Sequence, residues 1–130
     1  QNDLFDVGAD LCVPVEPDEE EGAKLRIRQE KVEEIEAMID RWNEHLEPLT
    51  SFILPGGTPA SAAIHVARTV TRRAERAAVH LASVDPDTTN PLTQVYLNRL
   101  ADYLFVIARI VNDNGKKDVL WTPGGGKSSD

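Results

Sequence analysis

Apolar residues recur at spacings of three and four along four stretches of the chain, which is the pattern of amphipathic α-helices. These stretches are residues 1–11, 28–46, 58–83 and 91–112. No stretch alternates with period two over the length of a strand. The pattern therefore predicts an all-α fold, and the short connections predict a single-domain antiparallel helical bundle.

The third and fourth helices carry strong start signals. Thr58 and Asn90 are good N-caps, and each precedes a proline, which costs little at the first helical position because the N–H there is unpaired anyway. The stretch 52–57 is short and ends in helix breakers, so we expect an extended linker with its apolar side chains turned inward. Residues 116–130 are predicted to be a loop and a glycine-rich tail.

The second, third and fourth helices each have an apolar stripe that should pack against a neighbouring helix. In the second helix the stripe is Val32, Ile35, Ile39, Trp42 and Leu46, and in the fourth it is Leu97, Leu100, Leu104, Ile107 and Val111. In the third helix it consists mainly of small residues: Ala63, Ala67, Val70, Ala74, Ala77 and Leu81. Small side chains there are predicted to let a neighbouring helix approach closely.

Composition narrows the classes of function. The net charge of −8 argues against a general nucleic-acid binder, which needs a basic surface. The acidic run at 16–21 is expected to be a solvated loop. The single cysteine, Cys12, excludes an internal disulfide and is expected to be a small core residue. No apolar run reaches the ~20 residues of a membrane helix and no signal peptide opens the chain, so we expect a cytoplasmic protein with no membrane partner.

A second stripe, made mostly of polar residues, lies on each of the last two helices. On the third helix they are Arg68, Arg72, Glu75 and Arg76, and on the fourth Asn98, Asp102, Phe105 and Arg109. If these faces meet, the arginines suit polyphosphate, because each guanidinium donates two parallel hydrogen bonds to phosphate oxygens. The same spacing fits salt-bridged solvent faces, in which Glu75 and Asp102 neutralise arginines. Spacing alone leaves both interpretations open.

Two other chemistries are excluded by spacing. A di-iron bundle needs Glu-x-x-His pairs, and no glutamate stands three residues before His45, His65 or His80, which are expected to be structural or exposed. The stretch 124–128 looks like half a phosphate loop, but the Walker pattern needs a glycine where Trp121 stands. No metal-ligand set is predicted.

Three ordered motifs resemble those of the PduO-type ATP:cob(I)alamin adenosyltransferase family. They are F-I-L-P-G-G at 52–57, H-V-A-R-T-V-T-R-R-A-E-R at 65–76 and Y-L-N-R-L-A-D-Y-L-F at 96–105, and the stretches 1–11 and 119–123 fit as well. The resemblance covers nearly the whole chain. It implies a five-helix bundle, with the first helix truncated here, that assembles as a homotrimer with active sites between subunits.

The resemblance also implies a reaction and its residues. Mg²⁺-ATP would donate the adenosyl group, and the cobalt of cob(I)alamin would attack the 5′ carbon of the ribose and displace triphosphate. Arg68, Arg72 and Asn98 would contact ATP, with Arg76 as a further member. Glu75 would orient the arginines and complete the catalytic set with Arg68 and Arg72. Arg68 would also join an inter-subunit salt bridge.

The corrinoid end of the implied site consists of Phe52 and Phe105. Phe52 would fill the lower axial face of the cobalt and displace its nitrogen ligand. The expected partners are a cobalamin reductase and an adenosylcobalamin-dependent acceptor enzyme.

The threonine- and glycine-rich ATP loop of the family is not in this chain, so we expect an upstream segment that carries it. The alternatives to the enzyme are a non-catalytic corrinoid carrier or sensor and a purely structural bundle.

Overall fold

The computed structural model describes residues 1–125, and four α-helices make up most of it. They are α1 (Asn2–Cys12), α2 (Gln29–Asn43), α3 (Pro59–Val84) and α4 (Pro91–Ile110). All four predicted helices form, so the all-α prediction is confirmed, although α2 and α4 end slightly earlier than their patterns suggest. No helix within residues 1–125 is long and apolar enough to cross a membrane. Residues 126–130, which include most of the stretch that looks like a phosphate loop, lie outside the described residues.

The predicted caps open α3 and α4. The Thr58 hydroxyl accepts a hydrogen bond from the Ser61 N–H at 3.2 Å. The Asn90 side chain accepts one from the Leu92 N–H at 3.0 Å. Each cap satisfies an otherwise unpaired donor in the first turn, which stabilises a helix start by about 1 kcal/mol.

Helix α4 is the centre of the bundle and contacts each of the other three helices. The main core cluster forms around it from Val7 of α1, Val32 and Ile35 of α2, and Tyr96 and Leu97 of α4. The predicted stripe of α2 is therefore confirmed for its first two residues, Val32 and Ile35. Because α4 is covered on several sides, its buried residues extend well beyond its predicted stripe to Ala101, Val106 and Ala108.

Helix α3 packs on α4 through a face that the sequence pattern did not indicate. Its buried residues are Ser61, His65, Thr71 and Ala78. The predicted stripe of small residues is exposed in the described chain, with Val70 47% exposed, so α3 uses a different face against α4. The physical reason is that α3 carries small side chains around much of its circumference, so more than one face permits close approach. The expected close approach of a neighbouring helix to this stripe stays a prediction.

A short antiparallel strand pair closes one end of the bundle. Strand β1 (Ile53–Leu54) pairs with β2 (Val119–Leu120). The stretch 52–57 is extended as predicted, but Phe52 is 77% exposed, so the inward orientation expected for its side chain is wrong. The region after residue 116, predicted to be loop and tail, contributes β2 because its backbone finds a partner in β1.

Two further expectations about the N-terminal half are corrected. Cys12 is exposed at the end of α1 and is not a core residue. The acidic run is not uniformly solvated, because the Glu19 carboxylate accepts hydrogen bonds from Arg26 at 2.6 and 2.7 Å. Arg26 also donates to the buried carboxylate of Asp10 at 2.9 Å, and so ties the loop to α1.

Candidate active site between the third and fourth helices

The centre of the candidate site is an arginine stacked on an aromatic ring. The guanidinium carbon of Arg68 lies 5.2 Å from the centroid of the Phe105 ring. His65, one turn before Arg68 on α3, meets the same ring edge-on with centroids 6.4 Å apart. Residues three apart on a helix share a face, which is why α3 presents both side chains to one residue of α4.

Arg68 is partly buried, and within residues 1–125 no carboxylate forms an ion pair with it. Its Nε is buried and has no hydrogen-bond partner among residues 1–125. Burial, and secondarily the neighbouring charge of Arg72, lower the pKa of the Arg68 guanidinium. It remains charged at pH 7, since a guanidinium normally has a pKa above ~12. A buried donor without a partner costs about 1–3 kcal/mol, which an incoming anionic oxygen could recover.

His65 is also buried without a partner for its Nε2 within the described part of the chain. Burial, together with the nearby charge of Arg68, lowers the pKa of this imidazole. The neutral form is therefore favoured at pH 7. Because it is neutral, His65 packs beside the guanidinium without adding a second positive charge.

A cleft of about 530 Å³ opens beside this cluster. Its lining includes Phe52, Ile53, Pro55, His65, Arg68 and Phe105. The cleft thus brings together both residues expected at the corrinoid end and one expected at the ATP end. Two other clefts, of about 640 and 650 Å³, lie around the acidic loop and contain no arginine of α3.

The polar end of the site lies farther along the same two helices. The Asn98 amide donates a hydrogen bond to Glu75 Oε1 at 2.7 Å. The Arg99 guanidinium donates to Asn98 Oδ1 at 3.2 Å, so both ends of the amide are held. Glu75 is seven residues from Arg68, a rise of roughly 10 Å along α3. Within the described chain Glu75 holds Asn98. Its expected role in orienting the arginines stays a prediction.

The remaining arginines of α3 project outward. Arg72 and Arg76 are exposed, and Arg76 Nη1 donates to the Arg72 carbonyl oxygen at 3.3 Å. No carboxylate within residues 1–125 forms an ion pair with any of Arg68, Arg72, Arg73 and Arg76. The salt-bridged alternative is therefore wrong for this stretch of the chain.

Asp102 and Arg109, the two other charged members of the second stripe on α4, form ion pairs away from these arginines. Asp102 pairs with Arg99 at 3.1 Å. Arg109 turns to the opposite end of the site, where its Nε donates to Asp118 at 2.8 Å. The positive charge on α3 consequently stays available for an anion.

Phe52 stands at the rim of the cleft and meets Trp121 edge-on, with ring centroids 6.0 Å apart. The Trp121 N–H donates to the Phe52 carbonyl oxygen at 2.7 Å, which extends the pairing of β1 and β2. Sequence reasoning assigned no site role to Trp121 or His65. Two sequence features could have indicated a site role for these residues. His65 precedes Arg68 by one helical turn, and Trp121 lies in the V-L-W-T-P stretch that resembles the family.

Comparison with known proteins decides the family. The family model described as cobalamin adenosyltransferase matches residues 1–111. The chain belongs to this family.

Relatives of this chain include a corrinoid adenosyltransferase of Mycobacterium tuberculosis, which is 47% identical over 99% of this chain and 65% of its own length. A corrinoid adenosyltransferase of Bacillus subtilis is 40% identical over 86% of this chain and 54% of its own length. The chain therefore spans only about two thirds or less of the length of these relatives.

Among solved structures, a PduO-type ATP:corrinoid adenosyltransferase from Lactobacillus reuteri superposes with a TM-score of 0.76 at 37% identity. That structure is of a phenylalanine-to-histidine variant complexed with cobalamin and ATP, and the match covers 91% of this chain and 62% of the other. The match to the family model includes all four helices of this chain and ends before Asp118 and Trp121.

Proposed function

We propose that the protein transfers the 5′-deoxyadenosyl group of ATP to the cobalt of cob(I)alamin, giving adenosylcobalamin and triphosphate. The observation that carries this proposal is the place of Arg68, which lines the cleft of Phe52 and Phe105 and precedes Arg72 and Arg76 on α3. Neither of these two arginines forms an ion pair within the described part of the chain. The Lactobacillus reuteri structure complexed with cobalamin and ATP supports the same pairing of ligands.

At the ATP end, Arg68, Arg72 and Arg76 would bind the triphosphate. Cobalt(I) attacks the 5′ carbon, the carbon–oxygen bond to triphosphate breaks, and negative charge accumulates on the leaving group. Guanidinium groups already in position stabilise that charge without reorganising during the step. Asn98 would contact the nucleotide in the orientation that Glu75 imposes on its amide.

Mg²⁺ is proposed to accompany the nucleotide. Mg²⁺ in nucleotide sites keeps several waters and takes most of its remaining ligands from phosphate oxygens, with one or two carboxylates. The described residues contain no group of three or more His, Cys, Asp or Glu arranged to hold a metal ion. That arrangement suits an ion held mainly by the triphosphate.

At the corrinoid end, Phe52 and Phe105 would contact the corrin. Losing the lower nitrogen ligand makes cobalt(II) easier to reduce, because cobalt(I) prefers four-coordination. A phenyl ring can occupy the ligand's place without offering a replacement. Phe52 suits this role because its side chain projects from an anchored backbone and is largely free of contacts within the described chain.

We also propose that the protein is a homotrimer with active sites between subunits. The exposed face of small and β-branched residues on α3 supports a helix from another subunit packing there, since such faces permit close approach. It includes Ala63, Val66, Ala67, Val70, Ala74 and Ala77. A carboxylate of another subunit would also pair with Arg68, which has no ion-pair partner among residues 1–125. The expected reductase, acceptor enzyme and cytoplasmic location stay predictions.

The decisive experiment mixes the full-length protein with ATP, Mg²⁺ and chemically reduced cobalamin. We expect the light-sensitive spectrum of an alkylcobalt bond, and no such spectrum when ATP is omitted. A protein that binds cobalamin but shows no ATP-dependent change would be a carrier or sensor. A protein that binds neither ligand would be a structural bundle.

A further inference from the structure

Asn112 lies just after α4 and is only 1% exposed. Its side chain binds the segment that follows Phe52 at two points. Asn112 Oδ1 accepts a hydrogen bond from the Thr58 N–H at 2.9 Å, and its Nδ2 donates to the Gly56 carbonyl oxygen at 3.1 Å. One side chain of the bundle therefore fixes the backbone between β1 and α3.

The same amide also fixes the segment that leads into β2. Asn112 Nδ2 donates to Asp118 Oδ1 at 3.1 Å, while Asp118 Oδ2 accepts from Arg109 Nε at 2.8 Å. All three side chains are buried or nearly so. Buried polar groups that satisfy one another restrict geometry more tightly than apolar packing does.

Both of these segments lead to Phe52. Beyond Asp118, β2 pairs with β1, and Trp121 then bonds to the Phe52 carbonyl oxygen at 2.7 Å. The Ser51 hydroxyl donates to the Trp121 carbonyl oxygen at 2.8 Å. The backbone of Phe52 is thus held from both directions, and each path returns to Asn112.

Packing of its own side chain does not hold Phe52. Its side chain is largely exposed, and the Trp121 ring is its one aromatic neighbour in the described chain. The position of the phenyl ring must therefore come from the backbone. We propose that Asn112 is a positioning residue that, with Asp118, sets the height of the Phe52 ring beneath the corrin. This inference rests on the proposed function.

A substitution at Gly57 offers a second way to disturb the contact between Asn112 and this segment. It has a φ of +100°, and a Cβ built there would overlap the Asn112 side chain. Gly56, its neighbour, would place a Cβ 3.8 Å from Val119, which is an ordinary contact. Gly57→Ala should therefore displace the segment from Asn112, and Gly56→Ala is its matched control.

The test measures the fraction of four-coordinate cobalt(II) by electron paramagnetic resonance in full-length protein with ATP. For Asn112→Ala we expect a several-fold lower fraction and a lower kcat, with ATP binding unchanged. Gly57→Ala should give the same result and Gly56→Ala should match wild type. On a Phe52→Ala background, Asn112→Ala should produce no further loss, because it acts through that ring.

The outcomes separate this inference from the proposed function. If Phe52→Ala lowers the four-coordinate fraction but folded Asn112→Ala does not, Asn112 is structural only and the inference is wrong. Additive losses in the double variant would also overturn it. If Asn112→Ala fails to fold, the pair of glycine variants decides. If Phe52→Ala itself keeps the wild-type fraction, the role of Phe52 in the proposed function fails and this inference falls with it.

Discussion

The guanidinium of Arg68 lies over the face of Phe105, with its central carbon 5.2 Å from the ring centroid. A cation over an aromatic face is stabilised by about 0.5–2 kcal/mol, and more strongly where water is excluded. This contact joins a residue expected to bind ATP to one expected to bind the corrinoid. A substitution at either residue should therefore affect the binding of both ATP and the corrinoid.

Phe105→Leu tests that link. Leucine keeps the apolar character of the cleft wall but removes the ring face that holds Arg68. We expect kcat/KM for ATP to fall by about two- to thirtyfold, which corresponds to the strength of the lost contact. Phe105→Tyr keeps the ring face and should stay close to wild type. Equal kcat/KM for ATP in Phe105→Leu and wild type would show that the stacking has no catalytic role.

Arg72→Ala should reduce catalysis much more than stability. The side chain is exposed, so little packing is lost. A hydrogen bond to a charged group contributes roughly 1.5–3 kcal/mol, which predicts a ten- to hundredfold loss of kcat/KM. Arg73→Ala removes the adjacent exposed arginine and is the matched control. Near-wild-type turnover in Arg72→Ala would remove Arg72 from the site.

Phe52→Ala should leave stability almost unchanged. A buried phenylalanine truncated to alanine costs ~3–5 kcal/mol, but this side chain is 77% exposed. The variant should fold, bind ATP and leave cobalt(II) five-coordinate, so adenosylation should slow sharply. Thermal unfolding and electron paramagnetic resonance on the same samples check both halves. A large drop in melting temperature would contradict the prediction that stability is unchanged. An unchanged fraction of four-coordinate cobalt(II) would contradict the proposed role of Phe52 beneath the corrin.

The acidic loop should make stability depend on pH through Glu19. Its bond to Arg26 lowers the pKa of the Glu19 carboxyl from 4.5 to about 2. A carboxyl whose pKa is depressed in the folded state stabilises the fold at any pH above its pKa in the unfolded chain. That contribution is lost as pH falls from about 4.5 to about 2. Glu19→Gln should therefore lower the melting temperature at neutral pH and flatten its decline in acid. Glu20→Gln, at an exposed neighbour, should keep the wild-type slope.

The exposed face of α3 should govern assembly. Val70→Asp places a charge on an apolar position that is 47% exposed in the single chain. We expect light scattering to report a trimer for the full-length wild type and a smaller species for the variant, with lower activity because the sites need two subunits. Met38→Asp changes a similarly exposed apolar residue on α2 and should stay trimeric. An active monomeric wild type at micromolar concentration would contradict the proposed assembly.

Local signals in the sequence determined the elements of this protein. The Thr58-Pro59 and Asn90-Pro91 pairs begin α3 and α4, and the stripe with Val32 and Ile35 faces the core. These features depend on hydrogen bonds and packing within a few residues or on one strongly apolar face. The stretch with Arg68 and the stretch with Phe105 could also be singled out as site segments from their motifs.

Only the tertiary structure decided which faces meet. The alanine stripe and the Ser61–His65 face of α3 are both small enough for close packing, so helical periodicity could not choose between them. Nor could it show that Asn112 holds the backbone between β1 and α3, because those bonds join residues more than fifty positions apart in the chain. Contacts of that kind depend on how helices pack, which no local pattern of apolar and polar residues encodes.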